Sequence, residues 1–345
     1  MLLAIKSLFE DTRNLTQKDV DVVLTSTSDN SRYFASIVSE LAGLSPKISH
    51  SVESLCNSGA NSAVSAFAYI ASGLGDVALV AGAERFDSPG RVLEWDQSRG
   101  QYKHPIYWSS MFTKAHMRKY GTTKEDLAIV SAKNHRNSTA NPYAYFEKEY
   151  SIDEIMQSKN LTEDIRLLDC SLPCSGSAAI LLASEEVAKK YTDCPVWITG
   201  IGQKTISAGF TKNTDLTTMK STAIASTDAY KMSGIQPSDV DVAEIHDAFT
   251  ICEIIELEDL RFAKKGMGSN YARNCYETQD RKINPRGGLI GSGHPLGATG
   301  IAQIVEIAQQ LQQKAGKRQV EGAKVGLVQN MSAAATSSTV LILQS

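Results

Sequence analysis

The chain has 345 residues, of which 42% are hydrophobic and 21% charged, with a net charge of −3 at neutral pH. Such a length exceeds one ordinary core and predicts two packed halves or one large layered domain, while the balanced charge and the absence of a strongly basic run argue against a nucleic-acid surface. Cys56, Cys170, Cys174, Cys194, Cys252 and Cys275 show no paired metal-ligand spacing and are too few for a disulfide framework, so no metal and a reduced, cytoplasmic setting are expected. No stretch approaches the ~20 apolar residues of a membrane span, and charge enters the first ten residues too early for a secretion signal.

The spacing of apolar residues predicts a helix over Leu2–Phe9 and a strand over Val20–Thr25. A helix near Tyr33–Leu44 and a strand near His50–Leu55 follow, ending abruptly at Cys56-Asn57-Ser58-Gly59. Ala60–Ser72 is small, apolar and helical in pattern, and Val77–Ala83 reads as a strand buried on both faces. From Glu84 to about Arg166 the texture turns aromatic and charged, with Trp95, Tyr102, His104, Trp108, His116 and His135, as expected of an insertion laid over one face. Strands are then expected over Ser177–Ala183 and Val196–Gly200, a helix over Ser221–Met232, a strand over Asp239–His246 and a helix over Ile251–Ala263. Last come the loop Gly291-Ser292-Gly293-His294-Pro295-Leu296-Gly297-Ala298-Thr299-Gly300 and an apolar-periodic helix, Ile301–Leu311.

Two segments echo one another. Lys18-Asp19-Val20-Asp21-Val22 and Ser238-Asp239-Val240-Asp241-Val242 share a pattern, and the same order of elements follows each, with a glycine-bearing break at Cys56 in one copy and at His294 in the other. A match in both sequence and element order indicates a duplicated α/β unit whose halves bring the two breaks to equivalent places about a pseudo-two-fold axis.

Three side chains at these breaks carry chemistry. Cys56 ends a strand and precedes a small-residue helix, where the helix dipole would favour a thiolate nucleophile with its own N–H as an oxyanion donor; the bland reading is an inert buried cysteine. His294 sits in a loop with four glycines that would aim it rigidly, although a surface loop would read similarly. His246 ends a strand, at the carboxyl-end crevice of a sheet, and the adjacent Asp247 could simply cap the next helix.

Ser54-Leu55-Cys56-Asn57-Ser58-Gly59-Ala60, His246-Asp247-Ala248-Phe249 and the glycine-rich loop at His294, in that order, resemble the thiolase superfamily, in particular archaeal acetoacetyl-CoA thiolases and those related to sterol carrier protein. The resemblance covers nearly the whole chain, including Lys133-Asn134-His135-Arg136-Asn137 and Asn141-Pro142. It implies a five-layer αβαβα fold of two duplicated halves, residues 1–190 and 191–345, with an inserted loop domain at about 85–166 that receives coenzyme A. It also implies Cys56 as the acyl-carrying nucleophile, His294 as its activator, and His246 with His294 as an oxyanion hole. A second hole would use the N–H groups of Cys56 and Ser332, and Ser171 would lie near the pantetheine. No tightly bound cofactor is implied; the CoA thioester is the substrate. Implied partners are a second copy, as homodimer or homotetramer, and, as in archaeal members, hydroxymethylglutaryl-CoA synthase with a small zinc-ribbon and OB-fold protein.

The chain departs from the family pattern in three places. The second cysteine that moves the α-carbon proton is absent, with Asn330 and Ala248 at its two usual positions; Cys252 is a substitute candidate, and His294 another. Gln329–Ala335 lacks the usual glycines, so that side chains at Ser332 and Ala333 would narrow the pocket or shift the donor N–H. Met1 falls where the family is already in its first helix, so a first strand, expected to be central in its sheet, is missing, and a misplaced start is expected. The reading that follows is an acyltransferase acting through acyl-Cys56; the alternative is a non-condensing acyl-CoA or lipid-binding scaffold.

Overall fold

A computed structural model describes residues 1–29, 31–85, 104–208 and 212–345. Within the first half, β1 (Val22–Ser26), β2 (Ile48–Val52), β3 (Val77–Glu84) and β4 (Gly176–Ala183) form one sheet in the order β2-β1-β3-β4. Within the second half, β5 (Trp197–Thr205), β6 (Val242–Glu244), β7 (Val325–Ser332) and β8 (Ser337–Gln344) form another in the order β5-β8-β7-β6. The strands β2-β1-β3 run parallel, as do β6 and β7; β4 is antiparallel to β3, as β8 is to β7 and β5 to β8.

Alternation along the strands builds the layers. Val22, Leu24, Ala78 and Val80 of the first sheet and Val242, Val328, Leu341 and Leu343 of the second share one core with α3 (Ser58–Ala71) and α12 (Leu296–Leu311), which fill the space between the sheets. The intervening residues face outward: Val23, Leu79 and Ala81 meet α1 (Leu2–Asp11) and α2 (Phe34–Leu41), and Ala243, Leu327, Val340 and Ile342 meet α8 (Lys220–Ser233) and α9 (Thr250–Asp259). Helices, sheet, helices, sheet, helices make the five layers of the αβαβα fold expected from the sequence. Because α12 is covered by sheets on both sides, it is buried nearly all round, its polar Gln303, Glu306 and Gln310 included.

The repeated Asp-Val-Asp-Val has a physical cause. Asp19 and Asp239 each fold back to accept a main-chain N–H three residues earlier, from Thr16 at 2.7 Å and Gln236 at 2.8 Å. Asp21 and Asp241 then reach across to the start of the neighbouring parallel strand, Asp21 to the Asp76 N–H at 2.8 Å and Asp241 to the Lys324 and Val325 N–H groups at 2.8 and 2.9 Å. Each aspartate satisfies donors that the ladder leaves open at a strand's first residue.

Some expectations are corrected. β6 is only three residues long, because the tight turn Pro237–Asp239 precedes it and His246 lies beyond its last pair. Asp247 does not cap α9, whose N-cap is Phe249; it accepts the N–H groups of Leu289 and Ile290 at the start of the short helix α11 (Gly288–Ser292). The strand that opens the repeat in the second half, β5, is peripheral, pairing with β8 alone, so its counterpart in the first half is not a central strand; β4 occupies that edge there. In the insertion, α4 (Pro105–Tyr120), α5 (Lys124–Ser138) and α6 (Ile152–Met156) are described, whereas Trp95 and Tyr102 lie outside the described residues.

The two central helices cross at glycine. A Cβ on Gly300 would fall 2.4 Å from the Ala60 nitrogen, and one on Gly59 would fall 2.9 Å from the Ile301 nitrogen, both against backbone that cannot swing aside. Gly300→Ala is therefore expected to cost about 1–3 kcal/mol, the usual range for overpacking, measured as a lower urea midpoint at unchanged slope; an unchanged midpoint would contradict the close crossing.

Candidate active site

Cys56 lies in a tight turn, Leu55–Asn57, at the entry to α3. The preceding Leu55 has φ 48°, a left-handed conformation unusual for a branched residue, which turns the chain sharply from β2 into the helix. Asn57 fastens this turn to the second half, its Nδ2 donating to Thr339 Oγ1 at 3.1 Å and Ser337 Oγ at 3.3 Å. The cysteine thus belongs to one sheet and is held by the other.

His294 enters from the loop before α12. Its N–H donates to the Leu172 carbonyl at 2.8 Å, and its Nδ1 lies 2.8 Å from Thr299 Oγ1, one turn into the helix. Gly293, with φ 89° and ψ 166°, adopts a backbone that only glycine accommodates readily, and a Cβ there would strike Cys174 Sγ. Glu84, at the end of β3, accepts the Gly297 N–H at 3.0 Å and so ties the loop to the first sheet.

His246 follows β6. The Gln329 side chain accepts its N–H at 2.9 Å, and Asn330 Nδ2 lies 3.1 Å from its Nδ1. The two imidazoles meet edge to face, with centroids 5.1 Å apart and planes at 85°. Cys56 Sγ and one nitrogen of each ring all lie within 4.8 Å of one another. Three residues separated by up to 238 positions thereby share one site, at the junction of the two halves.

Burial governs its electrostatics. Cys56 is 9% exposed, His294 5% and His246 1%. Burial pushes the Cys56 thiol up to about 12, against the pull of the Ala333 N–H and its own N–H; Glu84 and Glu53 add to the rise. Burial, with the nearby Arg286 charge, lowers His294 to about 3, and burial, His294 and Arg286 together hold His246 well below its ordinary value. The resting set is a neutral thiol and two neutral imidazoles, so the thiolate expected from the helix dipole does not form: desolvation outweighs it.

The other candidate residues fall as follows. Ser171 is half-buried, its N–H donating to the Ala248 carbonyl at 2.9 Å, on the extended stretch that bridges Phe249 on one side and His294 on the other. Ser332 ends β7, but the N–H directed at the Cys56 sulfur besides its own is that of Ala333, one residue further on. Ala333, Ala334 and Ala335 stand at φ 24°, 53° and 57°; left-handed backbone costs an L-residue roughly 1–2 kcal/mol, and the pairing of Ser332 with Ser337 holds the turn in place. Cys252 is fully buried in the outer core on α9 and is not among the groups gathered at Cys56; burial pushes its thiol well above the usual value.

Sequence reasoning missed the bracing. Asn134, in α5 of the insertion, donates to Asp247 at 2.7 Å and to Glu253 at 2.8 Å, and Lys133 pairs with Glu253 at 3.1 Å. The Lys133–Asn137 motif therefore anchors the insertion to the loops carrying His246 and His294; the only signal was an unusual run of polar residues in a helix.

Residues 202–345 match the thiolase C-terminal domain-like family. The acetyl-CoA acetyltransferase of Methanothermobacter thermautotrophicus is 38% identical over 310 residues, covering 87% of this chain and 80% of its own. Sterol carrier protein 2 of Bos taurus is 36% identical over 304 residues, 81% of this chain and 56% of that protein. Among solved structures, one described as Ltp2-ChsH2(DUF35) aldolase superposes with a TM-score of 0.84 at 23% identity, covering 96% of this chain and 89% of that one, which speaks to the fold. An αβαβα double sheet with a cysteine and two histidines at its centre defines a thiolase-type site, and the chain belongs to the thiolase family.

In the resting protein, alkylation of Cys56 by iodoacetamide, followed on its own peptide, is expected to be slow at neutral pH and to rise about tenfold per pH unit through pH 9, because only the thiolate reacts. A plateau at or below about pH 8 would show a stabilised thiolate and contradict the burial argument.

Proposed function

We propose that the protein is a coenzyme A-dependent acetyltransferase, joining two acetyl-CoA into acetoacetyl-CoA or running the reverse cleavage through an acetyl-Cys56 intermediate. The observation that carries this reading is the convergence of Cys56, His246 and His294 within 4.8 Å, with two main-chain N–H groups directed at the sulfur. The name of the Methanothermobacter relative supports acetyl-CoA as the substrate.

Each side chain has a task it is equipped for. Neutral His294 takes the Cys56 proton as the sulfur attacks the thioester carbonyl carbon, so the thiolate exists only while it is forming a bond. The negative charge that develops on the acyl oxygen is met by the Cys56 and Ala333 N–H groups. The intermediate collapses, the carbon–sulfur bond to CoA breaks, and CoA leaves with the proton from His294. A second acetyl-CoA then places its thioester oxygen against His246 and loses an α-proton to His294. Its carbanion attacks the acyl carbon, and Cys56 leaves and is reprotonated.

The base for the α-proton is His294. Cys252 is sealed in the core, and no second thiol stands with Cys56 among the described residues. One imidazole serving both half-reactions accounts for the loss of the second cysteine at Asn330 and Ala248.

The substrate is a CoA thioester, with no tightly bound cofactor, and Ser171 would meet its pantetheine. The chain works in the cytoplasm as a homodimer or homotetramer; no helix among the described residues is long and apolar enough to cross a membrane. The name of the solved relative joins its chain to a DUF35 protein, which supports a small protein partner here; assembly with hydroxymethylglutaryl-CoA synthase is a further proposal.

Mixing the protein with acetyl-CoA is expected to release one CoA per chain and to leave one acetyl group on the Cys56 peptide, with Cys56→Ala lowering condensation by at least about 10³-fold. No acetyl adduct, together with turnover or CoA-thioester binding unchanged by Cys56→Ala, would instead indicate a non-condensing scaffold.

A further inference from the structure

Cys56 Sγ and a nitrogen from each of His246 and His294 lie within 4.8 Å of one another, which has the look of a three-ligand metal site. Whether it is one depends on where the ring protons sit, and the surrounding amides decide that. Gln303, on α12, donates its Nε2 to the Gln329 main-chain carbonyl at 3.1 Å, so its Oε1 must face the other way. That oxygen accepts from Asn330 Nδ2 at 2.7 Å. Were Asn330 turned over, its Oδ1 would face the Gln303 oxygen and two acceptors would collide. The amide group of Asn330 is therefore fixed, and its second hydrogen points to His246 Nδ1 at 3.1 Å. A nitrogen that accepts a hydrogen bond carries no proton, so the proton of neutral His246 is on Nε2.

His294 has the opposite arrangement. The Thr299 hydroxyl lies 2.8 Å from His294 Nδ1 and 3.1 Å from the Pro295 carbonyl one helical turn back; giving its single hydrogen to that carbonyl, as helical threonines commonly do, leaves it an acceptor toward the ring. The proton of His294 is then on Nδ1 and its Nε2 is bare. Asn330, Gln303 and Thr299 are all buried, and water does not compete for these bonds.

We infer that Asn330 is a positioning residue that, locked by Gln303, holds His246 as the Nε2–H tautomer, making the facing imidazoles unlike: a hydrogen-bond donor at His246 and a proton acceptor at His294. Two bare nitrogens beside the thiol would bind a soft divalent cation and disable the nucleophile; two N–H groups would leave no base. The residue at the place of the missing second cysteine thus has a task of its own. The use of donor and acceptor in catalysis rests on the acetyltransferase reading, whereas the tautomers belong to the resting protein.

The test is the nitrogen NMR spectrum of protein labelled with 15N-histidine, with His246→Gln and His294→Gln used to assign the two rings. The wild-type protein is expected to show His246 protonated on Nε2 and His294 on Nδ1. Asn330→Asp, which as a buried acid keeps its one hydrogen for Gln303 Oε1 and offers only an acceptor to Nδ1, is expected to move the His246 proton there and leave His294 unchanged. With both Nε2 atoms bare, that variant should acquire the thiolate-to-cobalt absorption band with Co²⁺ that wild type lacks, and condensation of acetyl-Cys56 with the second acetyl-CoA should slow by about 10²-fold or more, as on losing an oxyanion donor. Wild-type rings protonated on the same nitrogen, or an equal cobalt band in wild type, would overturn the inference, and the wild-type spectra decide even if the variant does not fold. Acetylation of Cys56 with the wrong tautomers would sink this inference and spare the acetyltransferase reading; the right tautomers without acetylation would do the reverse.

Discussion

The site depends on the contact of α3 and α12 at Gly59 and Gly300. Each helix begins just after a residue of the proposed catalytic set, α3 after Cys56 and α12 after His294, so the distance between the helix starts sets the distance between the proposed nucleophile and base. A single methyl group at the crossing would meet backbone nitrogen below 3.0 Å, and the helices would have to part. Close-packed interiors transmit such a displacement instead of absorbing it, and proton transfer tolerates little of it. The glycines that look from the sequence like loop punctuation are here the condition for the chemistry.

A second constraint follows from the first. Residues brought together between two sheets are dry, and dryness favours uncharged forms. Burial therefore raises the thiol and lowers both imidazoles, giving an uncharged resting triad even though the proposed chemistry runs through a thiolate. In the proposed reaction the N–H groups of Cys56 and Ala333 act on charge as it develops, where a low-dielectric setting makes them count most. The left-handed turn Ala333–Ala335 shows that the fold sustains local backbone cost to keep one of those donors in place.

Much of this was legible in the sequence, for identifiable reasons. Asp21 and Asp241 repeat because each caps the strand next to its own, a local task that leaves a local pattern. Cys56, His246 and His294 were visible because each interrupts an apolar run at a strand end or a glycine-rich break. What was not legible depends on contacts between distant segments. Asn330 looked like a vacancy because its partners, Gln303 and His246, come from another helix and another strand. That the Ala333 N–H faces the Cys56 sulfur depends on a sharp turn, and a one-residue difference there has no sequence signature. A helix start that favours a thiolate at Cys56 is visible in a sequence, whereas the desolvation that outweighs it is not.

The central claim is that an uncharged thiol passes its proton to an uncharged imidazole only as the acyl bond forms. Rapid-quench measurement of acetyl transfer to Cys56 at saturating acetyl-CoA, followed across pH, tests it most directly. With His294 at about 3 and Cys56 at about 12, the first-order rate constant should be flat from about pH 5 to about pH 9. A rise through an ordinary imidazole midpoint near pH 6.5 would mean that His294 must first lose a proton, and would contradict the account.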